Sequence, residues 1–144
     1  QSITVNGCDD YLNEVLDLSR FGELVELKIG SSCFNYVSVM SISRLPKLKS
    51  VEIGEKSFQN ESVDSQLMVK NCPALVSLKI GNQSFKGFKR FNLSEVDGLK
   101  SVMIGDECFK ECDLVLKELK SVESVCVGSG SFEKSRHTVV ESLI

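Results

Sequence analysis

Two hydrophobic patterns alternate along the chain. One reads apolar-x-apolar and closes on glycine, as in Leu78-Lys79-Ile80-Gly81, while the other reads apolar-x-apolar without the glycine, as in Phe91-Asn92-Leu93. A period of two is the signature of a half-buried strand, and the β-branched residues Val51, Ile53, Val125 and Val127 agree with it. A helix can be drawn through 114–127 by its Leu and Val spacing. The equivalent windows elsewhere carry Pro46, Pro73 and Gly98 at their middle, which argues against it.

The first pattern belongs to a longer unit, L-x-x-L/V-x-I/V-G-x-x-S/C-F, which occurs at 24–34, 48–58, 75–85, 99–109 and, more loosely, 122–132. Its aromatic column is Tyr11, Phe34, Phe58, Phe85, Phe109 and Phe132, with spacings of 23, 24, 27, 24 and 23 residues. The second pattern fills each interval: Leu16, Leu18, Phe21; Met40, Ile42, Leu45; Leu67, Val69, Cys72; Phe91, Leu93, Val96; Leu114, Leu116, Leu119; and in part Thr138, Val140, Leu143. Repetition at such a period means a solenoid. The expected fold is therefore mostly β, in coils of about 24 residues with two short parallel strands per coil. The 27-residue interval differs by a polar stretch at 59–65, an insertion that a loop absorbs at little cost. Ile3 and Val5 fit the long strand of a preceding copy, and Thr138 and Val140 the short strand of a following one. Residues 1–144 thus read as a single repeat domain, a segment of a longer solenoid uncapped at both ends.

Gly30, Gly54, Gly81, Gly105 and Gly128 end the longer strand each time. Glycine there predicts either a turn with positive φ or a close approach between coils. The Phe four residues later is expected to enter the interior and stack on the ring of the adjacent coil, a column that takes five of the chain's eight Phe.

Composition narrows the function classes. A formal charge of -3 with interspersed signs leaves no basic stripe for nucleic acid, and no apolar run approaches the roughly 18 to 20 residues of a membrane span. Of the six Cys, Cys33 and Cys108 stand where other copies have Ser57, Ser84 and Ser131, and Cys72 stands where others have Phe21, Leu45, Val96 and Leu119. They read as small fillers of repeat positions, not as a disulfide framework. Cys33 and Cys108, three coils apart at roughly 14 Å, cannot bridge each other. The single His137 and the Cys108-x-x-x-Cys112 spacing supply neither a nucleophile with its base nor a zinc set. No catalytic, cofactor or metal site is expected, and the chain does not read as an enzyme.

Candidate binding residues lie on the outward columns of the longer strands. One is Glu26, Ser50, Ser77, Ser101, Ser124, and the other is Lys28, Glu52, Lys79, Met103, Cys126. Such a row is a usual ligand surface in repeat proteins. The alternating signs of Lys28, Glu52 and Lys79 equally predict cross-strand ion pairs on a self-neutralised, solvated face. The shorter strands turn Asp17, Ser41, Met68, Asn92, Val115 and Val139 outward, an apolar patch toward the C-terminal end. Asn60-Glu61-Ser62, Asn82-Gln83-Ser84 and Asn92-Leu93-Ser94 are N-glycosylation sequons, which favour an extracellular or cell-surface location.

The repeat resembles a leucine-rich repeat, in particular the largely β repeats of the BspA-like class and its Treponema relative, with an aromatic after a small residue and a Cys three positions on. Phe109-Lys110-Glu111-Cys112, preceded by Cys108, matches that pattern. Gly replaces the Pro often found in the bacterial repeats, and Ser32, Lys56, Gln83, Glu107 and Gly130 stand where vertebrate-type repeats carry an Asn ladder. The resemblance implies a binding or adhesion module for a protein or glycan partner at the cell surface. An alternative is a structural subunit of an extracellular filament or surface layer that self-associates end to end by coil stacking.

Overall fold

The computed structural model describes residues 1–6, 13–135 and, as backbone, 138–141. The described residues form twelve short strands that divide between two parallel sheets. Strands β1 (Ser2–Val5), β3 (Glu26–Ile29), β5 (Ser50–Ile53), β7 (Ser77–Ile80), β9 (Ser101–Ile104) and β11 (Ser124–Val127) pair in that order as sheet A. Strands β2 (Val15–Asp17), β4 (Val39–Ser43), β6 (Gln66–Lys70), β8 (Arg90–Ser94), β10 (Asp113–Lys117) and β12 (Thr138–Glu141) pair likewise as sheet B. The fold is an all-β solenoid, and the segment that could be drawn as a helix is the end of β10, a corner and β11. Tyr11, His137 and Leu143 lie outside the described residues.

Alternation along each strand decides what is buried. In β7, Leu78 and Ile80 are buried while Ser77 and Lys79 face out, and β3, β5 and β9 repeat the arrangement. Met40, Ile42, Leu67, Val69, Phe91 and Leu93 come inward from sheet B, so the two sheets close over one continuous core. Leu24, Leu48, Leu75 and Leu99 seal it at one corner, and Leu45, Cys72, Val96 and Leu119 at another.

The aromatic column stacks as the repeat predicts. Ring centroids of Phe34, Phe58, Phe85, Phe109 and Phe132 are separated in turn by 5.5, 4.5, 5.2 and 5.3 Å, and from Phe58 onward successive rings are within 7° of parallel. Phe88 meets Phe85 edge-on at 4.8 Å, and Phe91 stacks on Phe109 at the same distance. Each buried ring removes roughly 150 to 250 Å² from water, which places it among the largest apolar side chains of its coil.

The glycines work by close approach, not by positive φ. A Cβ on Gly54 would lie 2.7 Å from the Gly30 carbonyl carbon, and one on Gly81 equally near that of Gly54. Gly105 and Gly128 face the preceding coil's backbone at 2.8 and 2.5 Å. Left-handed backbone falls instead on bulkier residues. Ser32, Lys56, Gln83 and Glu107 have φ between 57° and 62°, with Gly130 at 75°, and the five stacked Phe lie between 48° and 57°. Arg44, Asn71, Glu95 and Glu118 form a third column at 53° to 56°.

Each such conformation costs on the order of 1 kcal/mol or more, and the hydrogen bonds show what offsets it. The twisted backbone aims an amide along the solenoid axis. The N–H of Ser32 donates to Glu55 O, that of Lys56 to Asn82 O, that of Gln83 to Asp106 O and that of Glu107 to Ser129 O, all at 2.8 or 2.9 Å. The Phe58 and Phe85 amides donate in the other direction, to Cys33 O and Ser57 O. The corners are thus paired from coil to coil as the strands are, and their amides are not left unsatisfied.

Two substitutions test this account in urea titrations. Phe85→Ala removes a ring held between two others and should cost about 3–5 kcal/mol. Gly81→Ala drives a methyl into the Gly54 backbone and should cost about 1–3 kcal/mol, although the same change raises intrinsic strand preference. A Gly81→Ala variant as stable as the parent would refute the close-approach assignment.

Candidate ligand face

Register fixes which side chains stand together on the outer face of sheet A. Ser2, Glu26, Ser50, Ser77, Ser101 and Ser124 are successive Cα partners, and so are Thr4, Lys28, Glu52, Lys79, Met103 and Cys126. The two expected columns therefore exist as neighbouring rows, and each row gains one member from β1. Strand spacing places successive members about 4.8 Å apart.

Ion pairing on this face differs from expectation. Among the described residues none of Lys28, Glu52 and Lys79 has a charge partner within 4.0 Å; ion pairs form instead at corners and connections and at the end of β6, where Lys70 lies 4.0 Å from Glu95. There Lys86 and Lys110 flank Glu107 at 3.8 and 3.9 Å, Lys89 and Lys134 flank Glu111 at 3.7 and 3.5 Å, and Lys47 meets Glu23 at 2.5 Å. These exposed contacts are screened by solvent and contribute little to stability. No ion pair closes within this column: Lys28, Glu52 and Lys79 are exposed, and Met103 beside them is 49% exposed.

Beneath the corner next to this face runs a ladder of small polar side chains. Ser57 Oγ accepts from the Cys33 amide at 3.1 Å and donates to Gly30 O at 2.8 Å. Ser84 Oγ does the same with the Ser57 amide and Gly54 O, and Ser131 Oγ with the Cys108 amide and Gly105 O. Cys108 joins by donating its thiol to Gly81 O at 3.2 Å. Cysteine is tolerated in a serine column because S–H is still a donor. At Ser57, Ser84, Cys108 and Ser131 the position holds a small hydrogen-bond donor and not an apolar filler.

Cys33 departs from the sequence reading more sharply, for it is disulfide-bonded. The bridge occurs in the first coil to carry the full repeat, where a cross-link closes a loop of the unfolded chain. Cys72, Cys108, Cys112 and Cys126 are free, the first three buried. Burial pushes the Cys72 thiol up, raises Cys108 to about 11 despite its hydrogen bonds, and raises Cys112 further still, with Asp113 adding to the effect. Cys126 is exposed on the sheet A face.

The sequons occupy three different settings. Asn60 lies in the inserted loop, where Nδ2 donates to Tyr36 O at 3.1 Å and Oδ1 accepts the Ser62 amide at 2.7 Å. Asn82 is exposed at the corner after β7 with Oδ1 on the Asp106 amide, but its Ser84 is fully buried. Asn92 sits on the outer face of sheet B, where Ser94 Oγ lies 2.9 Å from its Oδ1. On the same face Met68, Asn92 and Val115 are in register, with Met68 and Val115 half-buried, and Val139 follows Val115 in backbone register.

No protein-family model, curated protein or solved structure matches the chain. Among the described residues no three His, Cys, Asp or Glu side chains gather in a way that could hold a metal ion.

Thiol chemistry provides a check on this interior. At pH 8 the exposed Cys126 should react readily with a thiol reagent, while Cys108, buried and with its thiol raised to about 11, should react far more slowly, as peptide mapping would reveal. Cys72 and Cys112 should label only on unfolding. Rapid native-state labelling of Cys108 or Cys112 would contradict the packed column.

Proposed function

We propose that the chain is a non-catalytic interaction and adhesion module, a leucine-rich-repeat solenoid of the BspA-like style, that binds a protein or glycan partner at the cell surface through the outer face of sheet A. The observation that carries this reading is the unpaired Lys28, Glu52, Lys79 column beside the row Ser50, Ser77, Ser101. Several charged side chains at corners, among them Lys86, Glu107, Lys89 and Glu111, are engaged with one another, whereas these stand on a sheet whose backbone is already satisfied. Their hydrogen-bonding capacity is directed to solvent, or to a partner that replaces it.

Two further features support the location. The bridged Cys33 suits an oxidising compartment, since disulfides persist in secreted and surface proteins and are rare in the cytosol. The three sequons agree with the same compartment. The period of the repeat and the F-x-x-C at 109–112 are what ally the coils with leucine-rich repeats.

Glu26, Lys28, Ser50, Glu52, Ser77, Lys79, Ser101 and Met103 form the contact surface of this proposal. A partner lying along the solenoid axis would run along both columns and meet alternating charge beside a hydroxyl row. Binding of the labelled chain to a glycan array and to a panel of purified surface and matrix proteins tests it. A hit on either should weaken at least about tenfold in the double variant Lys28→Glu, Lys79→Glu. The corner variant Lys110→Glu should leave it unchanged. Equal binding by the two variants, or loss in both, would refute the assignment to sheet A.

A further inference from the structure

On the sheet B side, at the corner where β4, β6 and β8 end, three successive coils enclose a hollow of about 360 Å³. It is lined by Ser43, Arg44, Met68, Lys70, Asn71 and Glu95. Within the sheet β4 is paired with β2 and β8 with β10, so the hollow belongs to the middle of the coil array. Met68 and Ser43 are half-buried and form its floor, while Arg44, Lys70, Asn71 and Glu95 stand exposed around it.

The charges of the hollow are incompletely matched. Ser43 and Lys70 are Cα partners, which sets Arg44 beside Lys70 and Asn71 of the next coil, and the Arg44 amide donates to Lys70 O at 3.2 Å. Lys70 has Glu95 at 4.0 Å in the coil on its other side, the outer limit of an ion pair, with both side chains close to half exposed. Among the described residues Arg44 has no carboxylate within 4.0 Å. Two cations therefore share one carboxylate, which lies on the side of Lys70 away from Arg44. An anion seated between Arg44 and Lys70 would relieve their repulsion. The arrangement does not recur: the following coils place Ser94 with Glu95, and then Lys117 with Glu118, where Lys70 and Asn71 stand.

We propose that this hollow binds a carboxylated sugar residue, a uronic or sialic acid unit of an acidic glycan. Arg44 presents a planar fork that matches a carboxylate with two parallel hydrogen bonds, and Lys70 supplies a second positive charge. Met68 gives the C–H face of a sugar ring an apolar floor. Ser43 and Asn71 can donate to or accept from its hydroxyl groups. Glu95 is the selective element. An ionised carboxylate only accepts hydrogen bonds, so it favours a ligand that brings O–H donors with a single charge and disfavours sulfate, phosphate or a peptide dense in carboxylates. The volume stands near the lower end of the range for small-molecule sites, about 300–1,000 Å³, which suits one monosaccharide unit. The site is separate from the ligand face proposed above, which lies on sheet A.

The test titrates the intact isotope-labelled chain, observed by its amide resonances, with two acidic probes, oligogalacturonate and sialyllactose. Carboxyl-reduced oligogalacturonate and lactose are the neutral controls. At least one acidic probe should shift the amides of 43–44 and 68–71, its control should not, and the probe that acts identifies the source of the carboxylate. Arg44→Gln, a change at an exposed side chain, should weaken that binding at least about tenfold. The double variant Lys28→Glu, Lys79→Glu should leave it unchanged, so failure of this site and failure of the sheet A face are told apart. No shift by either acidic probe, or equal affinity in Arg44→Gln, would overturn the site. Equal shifts by sulfate or by an oligoaspartate peptide would overturn the sugar as its ligand.

Discussion

Neighbouring coils can be no further apart than one strand spacing, about 4.8 Å, and the rest of the structure follows from holding that distance all the way round. The strands meet it through their ladders. The corners have to meet it too, because a corner that bulged would separate the strands it connects. Glycine at 30, 54, 81, 105 and 128 lets backbone pass backbone, the left-handed residues turn their amides along the axis, and the Ser57, Ser84, Cys108 and Ser131 ladder bonds one coil to the next beneath the surface. The Phe column is tied to the same repeat. Flat rings are the large side chains that stack near this period, with centroids at 4.5–5.5 Å here.

This constraint also explains where sequence was informative. A requirement that excludes every residue but one leaves a clear mark, so the glycine and Phe columns, the period of two and the inward residues of both sheets were all legible. The left-handed positions were not. Ser32, Lys56, Gln83 and Glu107 share no side-chain chemistry, because the requirement acts on their backbone and is met at a tolerable cost by any of them. Only Gly130 hinted at it. The same blindness affected the cysteines: Cys33 and Cys108 occupy one repeat position, but the first is bridged and the second is a hydrogen-bond donor in place of Ser. Position in a repeat predicts size and polarity. It does not predict covalent partners.

The candidate face was legible in its membership and not in its state. Register could be deduced from the repeat, so Lys28, Glu52 and Lys79 were expected as neighbours. Whether neighbours pair depends on side-chain direction, which no repeat pattern encodes. The pairs that do form, such as Lys86 with Glu107 and Lys89 with Glu111, connect residues of adjacent corners, where the turn lets long side chains incline along the axis.

A solenoid spends its repeat on the interior, and its surface is left to vary from coil to coil. Thr4, Lys28, Glu52, Lys79, Met103 and Cys126 follow one another with no repeat rule, although the residues on either side of them obey one closely. A partner that ran along a single strand would meet two outward residues and little to distinguish one coil from another. One that ran across the strands would read the whole non-repeating column at a fixed spacing. For such a partner specificity would be gained along the axis, since from Lys28 to Met103 the row passes from charged to apolar side chains within a few strand spacings.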